Sequence, residues 1–210
     1  MKGLLLKDIF TLEKQMRGLL IVIAGFALIP ASNMIGFTVM YAIIIPISSF
    51  GYDERAKWDR LMRMMPIPER SMILSKYVLG YSFVGLISVI MLIAQFGYHA
   101  FGYQDLTLAS YPAFLAKLIF MVFMALIAYA VLMPFIFKFG MEKGRLVFGA
   151  VFAVLIFLTT VPFSMIQISS SYGAFIASPL FVWIVVFISA VVNVMSIKLS
   201  QRFYSQNTHG

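Results

Sequence analysis

The chain of 210 residues is 62% hydrophobic and 11% charged, with a mean hydropathy of +0.97. That is more apolar surface than a soluble domain of this length buries, so lipid is part of its solvent. The formal charge of +8 comes without a basic stripe on any soluble segment, which argues against nucleic acid and for anionic headgroups; with no Cys and only two His, disulfides, thiolate metal sites and iron–sulfur chemistry are excluded as well.

The basic residues fall in four clusters between uncharged runs: Lys2 to Arg17, Arg55 to Lys76, Lys138 to Arg145, then Lys198 and Arg202. Fifteen of the sixteen Lys and Arg residues can therefore lie on one side of a membrane, with Lys117 alone on the other. The positive-inside rule makes that side the cytoplasm and places both chain ends there, in the cell membrane. The opening MKGLLLKDIFTLEKQ has too short an apolar run for a signal peptide and carries Asp8 and Glu13, so it is expected to be retained. Its periodicity predicts a surface helix over 1–17, with Glu13 and Arg17 intruding on the apolar side.

Gly18 to Tyr52 contains no charge. As one helix it would be about 52 Å long against a hydrocarbon core of about 30 Å, so the turn-forming Pro30-Ala31-Ser32-Asn33 divides it into spans Gly18–Ile29 and Met34–Phe50. A re-entrant hairpin satisfies the same parity. The region 53–71 follows, and within 72–98 a third span runs from about Tyr77 to Tyr98. The outer loop 99–112 follows, and Tyr98, Phe101, Tyr103 and Tyr111 read as an interfacial belt. The region 113–137 holds a fourth span, about Leu118 to Phe137, and 138–145 is a cytoplasmic turn. The uncharged stretch 146–197 is long enough for two more spans, with 198–210 as a tail. Pro162 and Pro179 flank the outer turn at 167–173, consistent either with short broken helices or with two ordinary kinks. The expectation is an all-α membrane protein, one transmembrane domain over 1–210 with six transmembrane helices.

The spans hold almost nothing ionisable. Gln95 and Asn193 are candidates for a substrate pathway, although interhelical hydrogen bonding is the commoner role of an isolated amide. No His/Asp/Glu cluster exists to serve an intramembrane hydrolase, and no GxxxxGK[ST] phosphate loop is present, so the chain is expected to be no enzyme.

Between spans two and three, Tyr52 to Tyr77 carries more than a third of all the charge and one of two Trp residues. Asp53 reads as a helix cap; Trp58, Leu61, Met62 and Met65 share one face at i, i+3, i+4 and i+7, and Pro66 and Pro68 stop the helix. This predicts an amphipathic helix of about three turns, either lying in the headgroup layer or filling a groove on a soluble partner.

The segment Tyr52, Asp53, Glu54, Trp58, Asp59, Met65, Pro66, Ile67, Ser75, Lys76 and Tyr77, with a basic amphipathic start and six spans, resembles permease subunits of ABC exporters with the type 2 membrane fold. The likeness is strongest to the small single-domain group that includes permeases of the phenol-soluble modulin exporters, and it covers nearly the full length. Pro68-Glu69 departs from that group's small polar residue followed by a basic one. The resemblance implies a coupling helix between spans two and three that docks on a cytoplasmic ABC ATPase subunit through Asp53, Glu54, Lys57, Trp58, Leu61, Met62 and Met65. It also implies that Leu5, Ile9, Leu12 and Met16 form the apolar edge of an N-terminal interfacial helix, and that a second permease copy or a sister permease completes the pathway. ATP and Mg would belong to the partner, with no cofactor on this chain. The function implied is the membrane subunit of an ATP-driven exporter moving an amphipathic peptide or lipid-like substrate outward. A membrane scaffold or small channel whose Trp58 helix binds lipid is the alternative.

Overall fold

The computed structural model describes residues 2–27, 34–58, 61, 64, 68–100, 111–168 and 179–209, and the described residues are helical apart from short turns. The helices are α1 (Lys2–Ala27), α2 (Met34–Arg55), α3 (Glu69–Ala100), α4 (Tyr111–Ile168) and α5 (Pro179–His209). Among the described residues, three stretches are long and apolar enough to cross a membrane: Arg70–Tyr98 in α3, Phe114–Gly140 in α4 and Phe181–Ser205 in α5. Of the outer loop expected over 99–112, residues 99, 100, 111 and 112 are helical and the rest lie outside the described residues; of the outer turn expected at 167–173, residues 167 and 168 are helical and the rest lie outside them.

Helix α1 continues without interruption through Arg17 and Gly18, where the sequence suggests a surface helix giving way to a span. Its buried face also differs from the expected edge. Leu4, Asp8 and Leu12, at i, i+4 and i+8, are buried, whereas Ile9 is exposed and the Met16 side chain lies outside the described set. Asp8 is drawn inward by a charged partner on α3, and the face rotates with it.

Pro46 lies inside α2, where it removes one backbone donor. Ser48 Oγ donates to Ile44 O and Ser49 Oγ to Pro46 O, both at 2.7 Å, satisfying carbonyls near the interruption, as serines do in membrane helices. The cytoplasmic turn expected over 138–145 is a single break. Gly140 has φ 75 and ψ 179, and helix resumes directly after it. A Cβ there would meet Glu54 only at ordinary contact distance, so the left-handed φ, rather than space, is what favours glycine. Pro179 opens α5 in the first helical turn, where its missing N–H has no intrahelical partner to lose.

The core is built from one face each of α2, α3 and the first limb of α4: Val39, Ile43, Ile73, Leu79, Ala125 and Leu132 are all at most 3% exposed. Helix α1 packs on α2 and α3, α2 also on α4, and α5 mainly on α4 with a second contact to α3. Toward this core α5 presents small hydroxyls, Ser189, Ser196 and Ser200, which let helices approach closely. Its opposite face carries exposed Trp183, Phe187 and Val194, a surface suited to lipid.

Candidate functional site

The end of the bundle where α2 finishes and α3 begins holds the site. Lys76, nearly fully buried on α3, donates to Asp53 Oδ2 at 2.5 Å, Asp8 Oδ1 at 2.9 Å and Ser49 Oγ at 3.2 Å. Lys7 contacts Asp8 at 2.9 Å and Asp53 Oδ1 at 2.5 Å. Two ammonium groups thus meet two carboxylates across α1, α2 and α3. A buried ion costs several kcal/mol unless paired, and here every charge has an opposite partner, so the cluster is neutral and geometrically demanding. Phe50 places its ring 5.0 Å from the Lys76 ammonium, and Phe50, Phe137 and Tyr204 form a chain of edge-on contacts at 5.2 and 6.0 Å that ties α4 and α5 to the same end.

Asp53 is therefore no helix cap. It lies in the last turn of α2, with its carboxylate paired inside the bundle to Lys7 and Lys76. The helix ends just beyond it. Ala56 N–H donates to Tyr52 O at 2.9 Å, Lys57 N–H to Glu54 O at 3.1 Å, and Lys57 takes φ 51, the left-handed conformation that usually closes a helix with glycine. Beyond Lys57, Trp58, Leu61 and Met64 are again helical.

These side chains differ sharply in exposure. Trp58 is half-buried: it packs against Leu4 and Met72 beside Tyr204, and the Lys7 ammonium stands 4.4 Å from its ring centre. Leu61 is 47% exposed and Met64 82%. Met62 and Met65 lie outside the described residues; Glu54 and Lys57 are exposed beside the turn. Met64 is an exposed apolar residue that the sequence pattern does not include. The pattern 58, 61, 62, 65 omits it, yet its spacing of three from Leu61 marks it as a neighbour once Leu61 is recognised as outward-facing.

The two pathway candidates are not brought together. Tyr81 OH donates to Asn193 Oδ1 at 2.6 Å, and Asn193 Nδ2 donates to Ser189 O at 2.8 Å, so the amide links α3 to α5. Gln95 is buried fourteen residues beyond Tyr81 on α3, about 21 Å along the helix. Around Asn193 lies a network of hydroxyls. Tyr77 OH meets Ser196 Oγ at 2.5 Å and Ser200 Oγ at 2.9 Å; Tyr129 OH donates to Lys76 O at 2.8 Å; Ser196 Oγ donates to Ala130 O. Ser189, Asn193, Ser196 and Ser200 recur at steps of four, three and four, a spacing from which one polar seam could have been read. Among the described residues, no group of three His, Cys, Asp or Glu side chains could hold a metal ion.

A bundle of apolar helices with a neutral ionic cluster at one end, and no metal-holding group among its described residues, is a membrane-embedded helical protein. The model of the ABC-2 family transporter proteins matches residues 3–205, and the chain belongs to that family. It is accordingly a permease of an ABC transporter, of a kind that normally leaves ATP hydrolysis to a separate ABC ATPase subunit. None of the curated proteins and none of the solved structures compared with the chain matches it.

Proposed function

We propose that the chain is the membrane subunit of an ATP-driven exporter that moves an amphipathic peptide or lipid-like substrate outward by alternating access, in the manner of the phenol-soluble modulin exporters. Six spans with both ends in the cytoplasm, two permease subunits around the pathway, and ATP and Mg held by the partner complete the proposal. The observation that carries it is the turn after α2. In a chain of the ABC-2 family, it exposes Leu61 and Met64 while its root is fixed to the bundle by the Lys7–Asp53 pair and by Trp58.

A coupling element must present apolar anchors to the ATPase and be stiff enough to pass on its motion. Leu61 and Met64 are the anchors among the described residues, and Lys76 joins the base of the turn to α1, α2 and α3 at once. When the ATPase subunits close, the turn is pushed against this base, so the three helices are displaced together rather than one bending alone. The apolar outer faces of the spans and the scarcity of ionisable groups at depth suit a greasy cargo more than an ion.

Trp58 is packed into the bundle, so truncating it would disturb the chain's own end as well as any docking. Leu61→Ser with Met64→Ser isolates the docking role. The double variant is expected to insert and melt like the wild type, yet hold the ATPase at least about thirtyfold more weakly, the scale of a ~2 kcal/mol interface anchor. Co-purification and substrate-stimulated ATP turnover measure this. Undiminished ATPase retention and transport, with weaker attachment to anionic liposomes, would instead make the turn a headgroup-layer helix.

A further inference from the structure

A groove of about 480 Å³ opens on the outside of the bundle between the first limb of α4 and α5. That volume falls in the range of about 300–1,000 Å³ common for ligand sites. Val131, Phe135 and Phe139 line one wall and Met195, Leu199 and Phe203 the other. Phe135, Phe139, Met195 and Leu199 are each at least 40% exposed, so the groove faces the surroundings of the bundle and not its core. Ser196 also lines it, but its hydroxyl is engaged by Ala130 O and Tyr77 OH, which leaves hydrocarbon as the main offering.

One end of the groove is different. Lys138 lines it there, with its ammonium 4.8 Å from the Phe203 ring centre and 5.1 Å from that of Phe139. Lys138 stands two residues before Gly140, the end of a stretch apolar enough to cross a membrane, so its ammonium lies at the level where hydrocarbon gives way to headgroups. The wall contributed by α5 adds no negative charge. Pro179–His209 contains no Asp or Glu, and its Lys198 and Arg202 are exposed near the same end.

An apolar slot in the outer surface of the bundle, with the Lys138 ammonium at one end, has the shape and charge of one molecule class. We propose that this groove is a binding site for an anionic phospholipid, with an acyl chain lying between α4 and α5 and the phosphate against Lys138. A zwitterionic lipid fills the slot equally well but gains less from the basic rim, so the site selects on headgroup charge. The site rests on membrane embedding alone and not on the exporter reading.

The test is lipid retention by the purified full-length chain, measured by native mass spectrometry after titration with dioleoylphosphatidylglycerol or dioleoylphosphatidylcholine. The wild type is expected to retain the anionic lipid in preference. Lys138→Gln, at an exposed position, should lower its affinity about fivefold, the effect of one basic residue at an anionic surface, and leave the zwitterionic lipid unchanged. Leu199→Trp should fill the slot and weaken both lipids, while Lys14→Gln on α1 should change neither. Equal retention of the two lipids by the wild type, or a Lys138→Gln variant indistinguishable from it, overturns the proposal. So does a change from dimer to monomer in Lys138→Gln and Leu199→Trp at unaltered lipid content, which would make the groove a contact between copies.

Discussion

Adjacent residues of α3 serve two different polar interiors. Lys76 turns toward α1 and α2, where it joins Asp8, Asp53 and Lys7 through full charges. Tyr77, about 100° around the helix, turns toward α5, where its hydroxyl meets Ser196 and Ser200 without any charge. Both networks connect helices, but deleting one member has different consequences. Removing a neutral hydroxyl forfeits one hydrogen bond, and its former partners can turn to neighbouring carbonyls. Removing one ion leaves an uncompensated charge in a site that water reaches poorly. The charged network therefore fixes α1, α2 and α3 as one body, while the neutral seam allows α5 to repack. In the proposed exporter, stiffness next to Lys57 and tolerance along α5 suit different tasks.

The comparison breaks most visibly at Lys76. Lys76→Met leaves Asp8 and Asp53 with Lys7 alone, an excess negative charge in a buried site, and is expected to destabilise the bundle by about 3–5 kcal/mol. Thermal unfolding in detergent measures it. Adding Asp53→Asn restores neutrality, so the double variant should be markedly more stable than Lys76→Met. If instead the two losses simply add, the cluster is not acting as a charge-balanced unit.

The seam between the networks comes next. Gly80 lies against Tyr129, whose ring a Cβ would overlap, and whose hydroxyl is held by the backbone carbonyl of Lys76. Tyr129 is 1% exposed, in contact with Tyr77 and Tyr81 at ring distances of 6.0 and 6.3 Å, and has little room to retreat. Gly80→Ala is expected to cost about 1–3 kcal/mol, the usual range for overpacking. Adding Tyr129→Phe should not recover the loss, because the clash involves the ring as well as its hydroxyl. Recovery would place the strain at the hydroxyl alone.

How much of this was legible in the sequence follows from the range of each interaction. The all-helical character was, because uncharged runs are a local signal; the division expected at residues 17 and 18 was not, since α1 runs through it. The buried face of α1 was not. A carboxylate such as Asp8 is expected to face water unless its partner is known, and Lys76 stands 68 residues away. Asp53 misled for the same reason. An acid ahead of an amphipathic pattern reads as a cap, and nothing nearby announces that Lys7 and Lys76 claim it. The turn at Lys57 carried no glycine or asparagine to mark its left-handed backbone. The serine seam of α5 was readable from its spacing, yet scattered serines in a span carry little signal until the facing tyrosines are known.

The smallest expected effect sharpens the contrast at its neutral end. Asn193 accepts from Tyr81 and donates to Ser189 O, whose carbonyl also belongs to a helix. Asn193→Leu is close in volume and removes both bonds, leaving the Tyr81 hydroxyl to find another acceptor in a region rich in serine. Interhelical hydrogen bonds in membranes average about 0.6 kcal/mol and reach about 1.7, so the loss should stay within that range and well below that of Lys76→Met. A double-mutant cycle with Tyr81→Phe isolates the pair, and the coupling should account for most of the effect if the amide serves packing. Transport then remains at the wild-type rate. A variant that is as stable as the wild type but no longer transports would reverse the assignment, making Asn193 a pathway residue and the neutral seam a moving surface that contacts the cargo.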